Sequence, residues 1–122
     1  MTVAGLGFRA AASVASLRAA LDAAGGPVGL TALATSEAKA GAAVIAAFAA
    51  ELGLPIVGIS PADLAAQDTL TDSARVRQKT GAGSLAEAAA LAALGSGARL
   101  LGPRLVSPDR MATAAIAKGP TL

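Results

Sequence analysis

Four short stretches and the separate Arg104 hold the residues whose types and spacing could do chemistry. Thr80-Gly81-Ala82-Gly83-Ser84 is a glycine-rich turn that runs into Ser84-Leu85-Ala86-Glu87, and Ser84 and Glu87 have the spacing of a capping box. The free amides of such a turn can grip a carboxylate or phosphate, which makes Gly81 and Ser84 candidate ligand contacts. Glu87, fixed at a helix start beside a crevice, is the best candidate general acid or base; the plain alternative is that Ser84 and Glu87 only cap their helix. Thr35-Ser36-Glu37-Ala38-Lys39 joins a strand to a helix at the carboxyl end of a sheet strand, where open α/β sheets bind ligands. Thr35 and Lys39 are therefore candidate anion contacts, against an ordinary helix cap with a solvated lysine. Gly5-Leu6-Gly7-Phe8-Arg9-Ala10 matches the G-x-G-x-x-A turn through which a dinucleotide's pyrophosphate approaches the backbone. The acidic residue expected at the end of the second strand is missing, so for Gly5, Gly7 and Arg9 a tight turn or another anion site competes. Arg104 follows an apolar run and can clamp a carboxylate in two parallel hydrogen bonds. Arg75, Arg77 and Lys79 form a basic strip that is more commonly a solvated helix face.

What is absent narrows the chemistry. The 122 residues include no His, no Cys, no Trp and no Tyr, and only two Phe. This excludes a Ser-His-Asp triad, a thiolate nucleophile, an ordinary zinc site and a disulfide framework. No metal and no cofactor is expected, and proton transfer would fall to Asp, Glu, Lys, hydroxyls or the ligand itself. Phe8 and Phe48 are too few for a base-stacking surface, so nucleic acid is not an expected partner. The net charge of +2 is unevenly spread: residues 1–68 sum to −2 and residues 69–122 to +4. An anionic ligand would find most of its countercharge in the second half. Mean hydropathy is high at +0.62, yet no uncharged run reaches the roughly 20 residues of a membrane-spanning helix. The opening Met1–Gly7 lacks the basic start of a signal peptide, so a cytoplasmic protein without a membrane partner is expected.

Positioning these residues takes an α/β fold. Short apolar runs alternate with alanine-rich periodic runs, which predicts a three-layer α/β/α sandwich around a mostly parallel sheet of about five strands. At this length the whole chain, 1–122, is expected to be one domain. The pattern predicts strands at Thr2–Leu6, Val28–Ala34, Leu54–Ile59, Ala98–Gly102 and Ala112–Ala117. It predicts helices over Ser13–Ala24 and Ser36–Leu52, a short one after Ser60-Pro61, another from Ser73 to Gly81, and one from Ser84 to Leu94. Residues 103–111 are too few for a helical crossover and allow the last two strands to pair antiparallel.

In their order, Val3–Arg9, Leu33–Lys39, Leu52–Ile56, Thr80–Leu91 and Thr113–Ala117 resemble the CobE family of cobalamin biosynthesis proteins, itself similar to the C-terminal domain of CbiG. The most specific block is Gly81-x-x-Ser84-x-x-Glu87-Ala-Ala-x-Leu91. The resemblance implies a cytoplasmic protein of corrin-ring construction that binds a precorrin or hydrogenobyrinic-acid-type intermediate in the aerobic pathway. It matches Gly5, Gly7, Arg9, Thr35, Lys39, Gly81, Ser84 and Glu87 to the family pattern. Phe8 stands where relatives often carry Cys, and Arg104 where Lys is expected. An enzyme acting on the corrin precursor, by lactone opening or a related hydrolysis, is the alternative, and a nucleotide-binding module a third. Other enzymes of the pathway, or a second copy of the chain, are conceivable partners.

Overall fold

Along the first strand, β1 (Thr2–Phe8), side chains alternate between the two faces of a sheet. Ala4, Leu6 and Phe8 enter one core cluster, and Val3 enters another on the opposite face together with the space above Gly5 and Gly7. Each face is covered by helices, giving the expected three layers. The structure is a computed structural model that describes residues 1–70 and 84–119. The other elements are α1 (Val14–Ala24), β2 (Ala32–Ser36), α2 (Glu37–Ala40), α3 (Ala43–Leu52), β3 (Ile56–Ile59), α4 (Pro61–Ala65), α5 (Leu85–Leu94), β4 (Arg99–Leu100), β5 (Leu105–Val106) and β6 (Ala112–Lys118). The expected helix from Ser73 to Gly81 and the strip Arg75, Arg77 and Lys79 lie outside the described residues.

Six strands form one sheet in the order β3-β2-β1-β6-β4, with β5 also paired to β6. β1, β2 and β3 are parallel neighbours, and β6 runs antiparallel to β1, β4 and β5. Five of the six strands therefore point the same way and only the last opposes them. β4 and β5 are two pieces of one edge strand whose register slips between them. Four residues separate Leu100 from Leu105, but only two separate their partners Ala117 and Ala114. The surplus is a bulge that contains Pro103, a residue with no N–H to give a ladder.

On one face α1 and α3 bring Leu17, Leu21, Ile45 and Phe48 onto Leu6 and Leu33. On the other, α5 lies over β1 and β6 with Leu85 through Leu91 all buried. Its alanines meet a floor of Gly5, Ala115 and Ala117. A Cβ on Gly5 would stand 1.8 Å from the Ala86 carbonyl oxygen and 2.8 Å from the Ala90 nitrogen. Only glycine lets the helix backbone come so close.

Several local readings need correction. Gly5 and Gly7 do not form a turn: both lie inside β1, which runs on to Phe8. β2 starts at Ala32, four residues later than expected. The long helix expected over Ser36–Leu52 breaks at Gly41-Ala42 into α2 and α3, as a glycine in a helix interior favours. β3 is an edge strand with Ile56 and Val57 half-buried, not one covered on both faces. β5 was not anticipated at all. Caps are as predicted at Ser60, whose hydroxyl accepts from the Asp63 N–H (3.2 Å), and at Gly53 and Gly95.

Candidate functional site

The sheet order reverses at β1, since β2 and β3 add on one side and β6, β4 and β5 on the other. In open α/β sheets the strand ends at such a reversal open into a crevice. Here β1 and β2 stay in register only as far as Gly5 and Ala34, while β1 stays paired with β6 out to Phe8 and Ala112. Past that point the Thr35 hydroxyl, fully buried, donates to the Leu6 carbonyl (2.8 Å) in place of a ladder bond. Beyond it the strands part.

A cleft of about 990 Å³ occupies this end of the sheet, the upper end of the range for small-molecule sites. Its floor is apolar, from Phe8, Ile59, Leu64, Leu85, Val106 and Met111. Among the described residues four cations line it, Arg9, Lys39, Arg104 and Arg110, against the single carboxylate of Glu37. Lys39 Nζ donates to the Phe8 carbonyl (2.7 Å) and stands 5.0 Å from the Phe8 ring centroid, a cation–π contact that holds it over the floor. The guanidinium groups of Arg9, Arg104 and Arg110 make no hydrogen bond or ion pair with any described residue; Arg18–Glu51 is the salt bridge among those residues. Three uncommitted guanidinium groups around one apolar floor suit a broad ligand with several carboxylates.

The hairpin between β5 and β6 brings Arg110 to the cleft. Ser107-Pro108-Asp109-Arg110 is a turn closed by the Arg110 N–H donating to the Ser107 carbonyl (2.8 Å). The Asp109 carboxylate accepts from the Ser107 hydroxyl (2.5 Å), the Ser16 hydroxyl (2.5 Å) and the Met111 N–H (3.0 Å). Those donors, Ser107 foremost and then Ser16, hold its carboxyl below its ordinary pKa. Ser16 lies in the first turn of α1, where it and Ser13 form a reciprocal capping box. A carboxylate of the chain itself thus sits at the start of α1.

That arrangement removes the physical basis of the dinucleotide reading. A pyrophosphate site needs a glycine turn leading directly into a helix N-terminus. Here the glycines are in a strand, α1 starts six residues after Phe8, and its start faces Asp109.

The other candidates divide. Gly7, Arg9, Lys39 and Arg104 line the cleft. Gly5 lies beneath α5, Thr35 stitches β2 to β1, and Gly81 lies outside the described residues. Ser84 is buried as the N-cap of α5, its hydroxyl accepting from the Glu87 N–H at 3.4 Å. The reciprocal arm of that capping box is not made. Glu87 is fully buried and its carboxylate accepts the Leu70 N–H at Oε1 (2.5 Å) and the Arg104 N–H at Oε2 (2.7 Å). It is not among the residues lining the cleft, and it fastens the bulge carrying Arg104 and the segment after α4 to α5. Arg110 was not anticipated, although Ser107-Pro108-Asp109 has the composition of a turn that would have marked its position. Among the described residues no group of three or more possible metal ligands gathers, and no helix is long and apolar enough to cross a membrane.

The family model described as cobalamin synthesis G C-terminus matches residues 2–117. Among solved structures, the chain is similar to CobE, a protein from the cobalamin (vitamin B12) biosynthetic pathway. Identity is 32% and the TM-score 0.83, over 100% of this chain and 92% of that one. It is also similar to the cobalamin biosynthesis protein chiG from Agrobacterium tumefaciens str. C58, with 39% identity and a TM-score of 0.73 over 99% of this chain and 100% of that one. Comparison with curated proteins gives no match.

Proposed function

The chain belongs to the cobalamin synthesis G C-terminus family, and from that premise we propose that its cleft binds a corrin-ring intermediate of cobalamin biosynthesis in the cytoplasm, as a carrier. Corrin precursors surround a broad apolar macrocycle with acetate and propionate carboxylates. The observation that carries the reading is the match between that chemistry and the cleft: an apolar floor ringed by Arg9, Lys39, Arg104 and Arg110. The macrocycle would lie on Phe8, Leu85 and Met111 with its rim facing the guanidinium groups. The chain has no His and no Cys to serve as an axial ligand to cobalt, so recognition falls on the rim and the face.

Titration of the protein with hydrogenobyrinic acid, followed by visible absorption and then by mass analysis of the recovered ligand, tests this. Saturable binding that weakens with added salt is expected, with the ligand mass unchanged. Arg104→Gln should weaken it about tenfold, or about 1.4 kcal/mol. A spectrum left unperturbed by hydrogenobyrinic acid and by every precorrin tried would refute the proposal. A changed mass would replace the carrier with an enzyme.

A further inference from the structure

Arg110 has a positive backbone φ of 61° and is the non-glycine residue with that conformation among the described residues. For an L-residue this left-handed conformation is disfavoured by contact of Cβ with the backbone, and hairpin turns that need it usually place Gly or Asn there. A glycine would serve this turn better. The turn is nevertheless fastened on both sides of the arginine: Asp109 reaches across to Ser16 of α1, and the Met111 N–H returns to Asp109. The strained residue is thus held in a fixed position, and its side chain lines the cleft without a partner among the described residues. Backbone strain kept at a ligand site, where a relaxed residue was available, is a mark of function.

We propose that Arg110 is a specificity-determining residue of the cleft, held in an unfavourable backbone conformation so that its guanidinium meets a rim carboxylate of the bound corrin intermediate. The inference rests on the cleft being the ligand site. It adds that the β5–β6 hairpin selects ligands by the carboxylate that lies on its side of the cleft, opposite the β2–α2 junction where Lys39 stands. A ligand amidated at that carboxylate would bind less well than the free acid.

The test compares Arg110→Gly, Arg110→Lys and the parent protein for thermal stability and for binding of hydrogenobyrinic acid and its a,c-diamide. In Arg110→Gly the relieved backbone raises the melting temperature by about 2–4 °C, while affinity for hydrogenobyrinic acid falls about tenfold and the salt dependence becomes shallower. Arg110→Lys keeps the charge and the strain, so its melting temperature stays with the parent and its affinity falls only a few-fold. Unchanged affinity in Arg110→Gly, with Arg104→Gln still impaired, would overturn this inference and leave the cleft reading standing. A parent protein whose spectrum is left unperturbed by both corrinoids and by every precorrin tried would overturn both. A melting temperature lowered in Arg110→Gly with affinity intact would assign the arginine to the fold and overturn the inference.

Discussion

The contact between Gly5 and α5 predicts that one methyl group does more damage here than many large core truncations. In Gly5→Ala the new Cβ would sit 1.8 Å from the Ala86 carbonyl oxygen and 2.8 Å from the Ala90 nitrogen. Both are backbone atoms, so no rotamer change relieves the clash. To bring the first distance to 3.0 Å, below which real Cβ contacts are essentially unknown, α5 must lift by about 1.2 Å. Lifting it opens gaps along Ala86, Ala88, Ala89 and Ala90, all fully buried. Overpacking alone costs about 1–3 kcal/mol, and lost contact along a whole helix puts the total at about 3 kcal/mol or more. For a chain of this length about 1 kcal/mol moves the melting temperature by roughly 4 °C, so a fall of about 12 °C is expected. Gly58→Ala is the matched control, because its Cβ comes no nearer than 3.3 Å to the Ala40 side chain and 3.4 Å to the Glu37 main chain. It should cost under about 1 kcal/mol. Urea denaturation of the two variants at neutral pH gives both numbers. A Gly5→Ala protein within about 1 kcal/mol of the parent would refute the packing argument and return Gly5 to the list of residues kept for a ligand.

Glu87→Gln replaces one carboxylate oxygen by an NH₂ that cannot accept from a backbone amide, so either Leu70 or Arg104 loses its acceptor in a part-buried hydrogen bond. A loss of about 1–3 kcal/mol in denaturant unfolding is expected, whereas unchanged stability would contradict the fastening role. The Asp109 carboxyl is held below its ordinary pKa near 3.8, so the stability it adds is fully present above that pH and is lost as the pH falls through its lower folded value. The melting temperatures of the parent and Asp109→Asn should therefore differ by a constant amount from pH 7 to about 5 and converge below about pH 4; parallel curves down to pH 2 would show that the charge is not what matters.

The fold class was legible because it depends on local signals. Ser13, Ser60 and Ser84 stop or start helices through chemistry within three or four residues of themselves, and Gly25, Gly53 and Gly95 end them in the same way. What could not be read depends on residues far apart in the chain. Glycines at positions 5 and 7 look like a turn until residue 86 is placed above the first of them. Glu87 looks like one arm of a capping box, and only the fold reveals that the amides of Leu70 and Arg104 compete for its carboxylate and win. β5 escaped notice because two residues interrupted by a bulge leave no alternating pattern. The cleft was half legible: Arg9, Lys39 and Arg104 stand at strand ends, whereas Arg110 arrives through the hairpin that β5 makes possible. Thr35 was placed at the right strand end, but its hydroxyl faces the neighbouring strand's carbonyl and is consumed there.

The slipped register between β4 and β5 also decides how copies of the chain can meet. An exposed strand edge is a template on which another chain can add a strand, and uninterrupted ladders invite this most. On the β4–β5 side the row of backbone donors is broken by the bulge and by Pro103, even though Leu101, Leu105 and Val106 are exposed there. At the opposite margin β3 offers an unbroken row, but only from Ile56 to Ile59. One margin is sticky in side chain and blocked in backbone, and the other is open in backbone but short. Among the described residues, the two margins thus resist strand addition by two unrelated means.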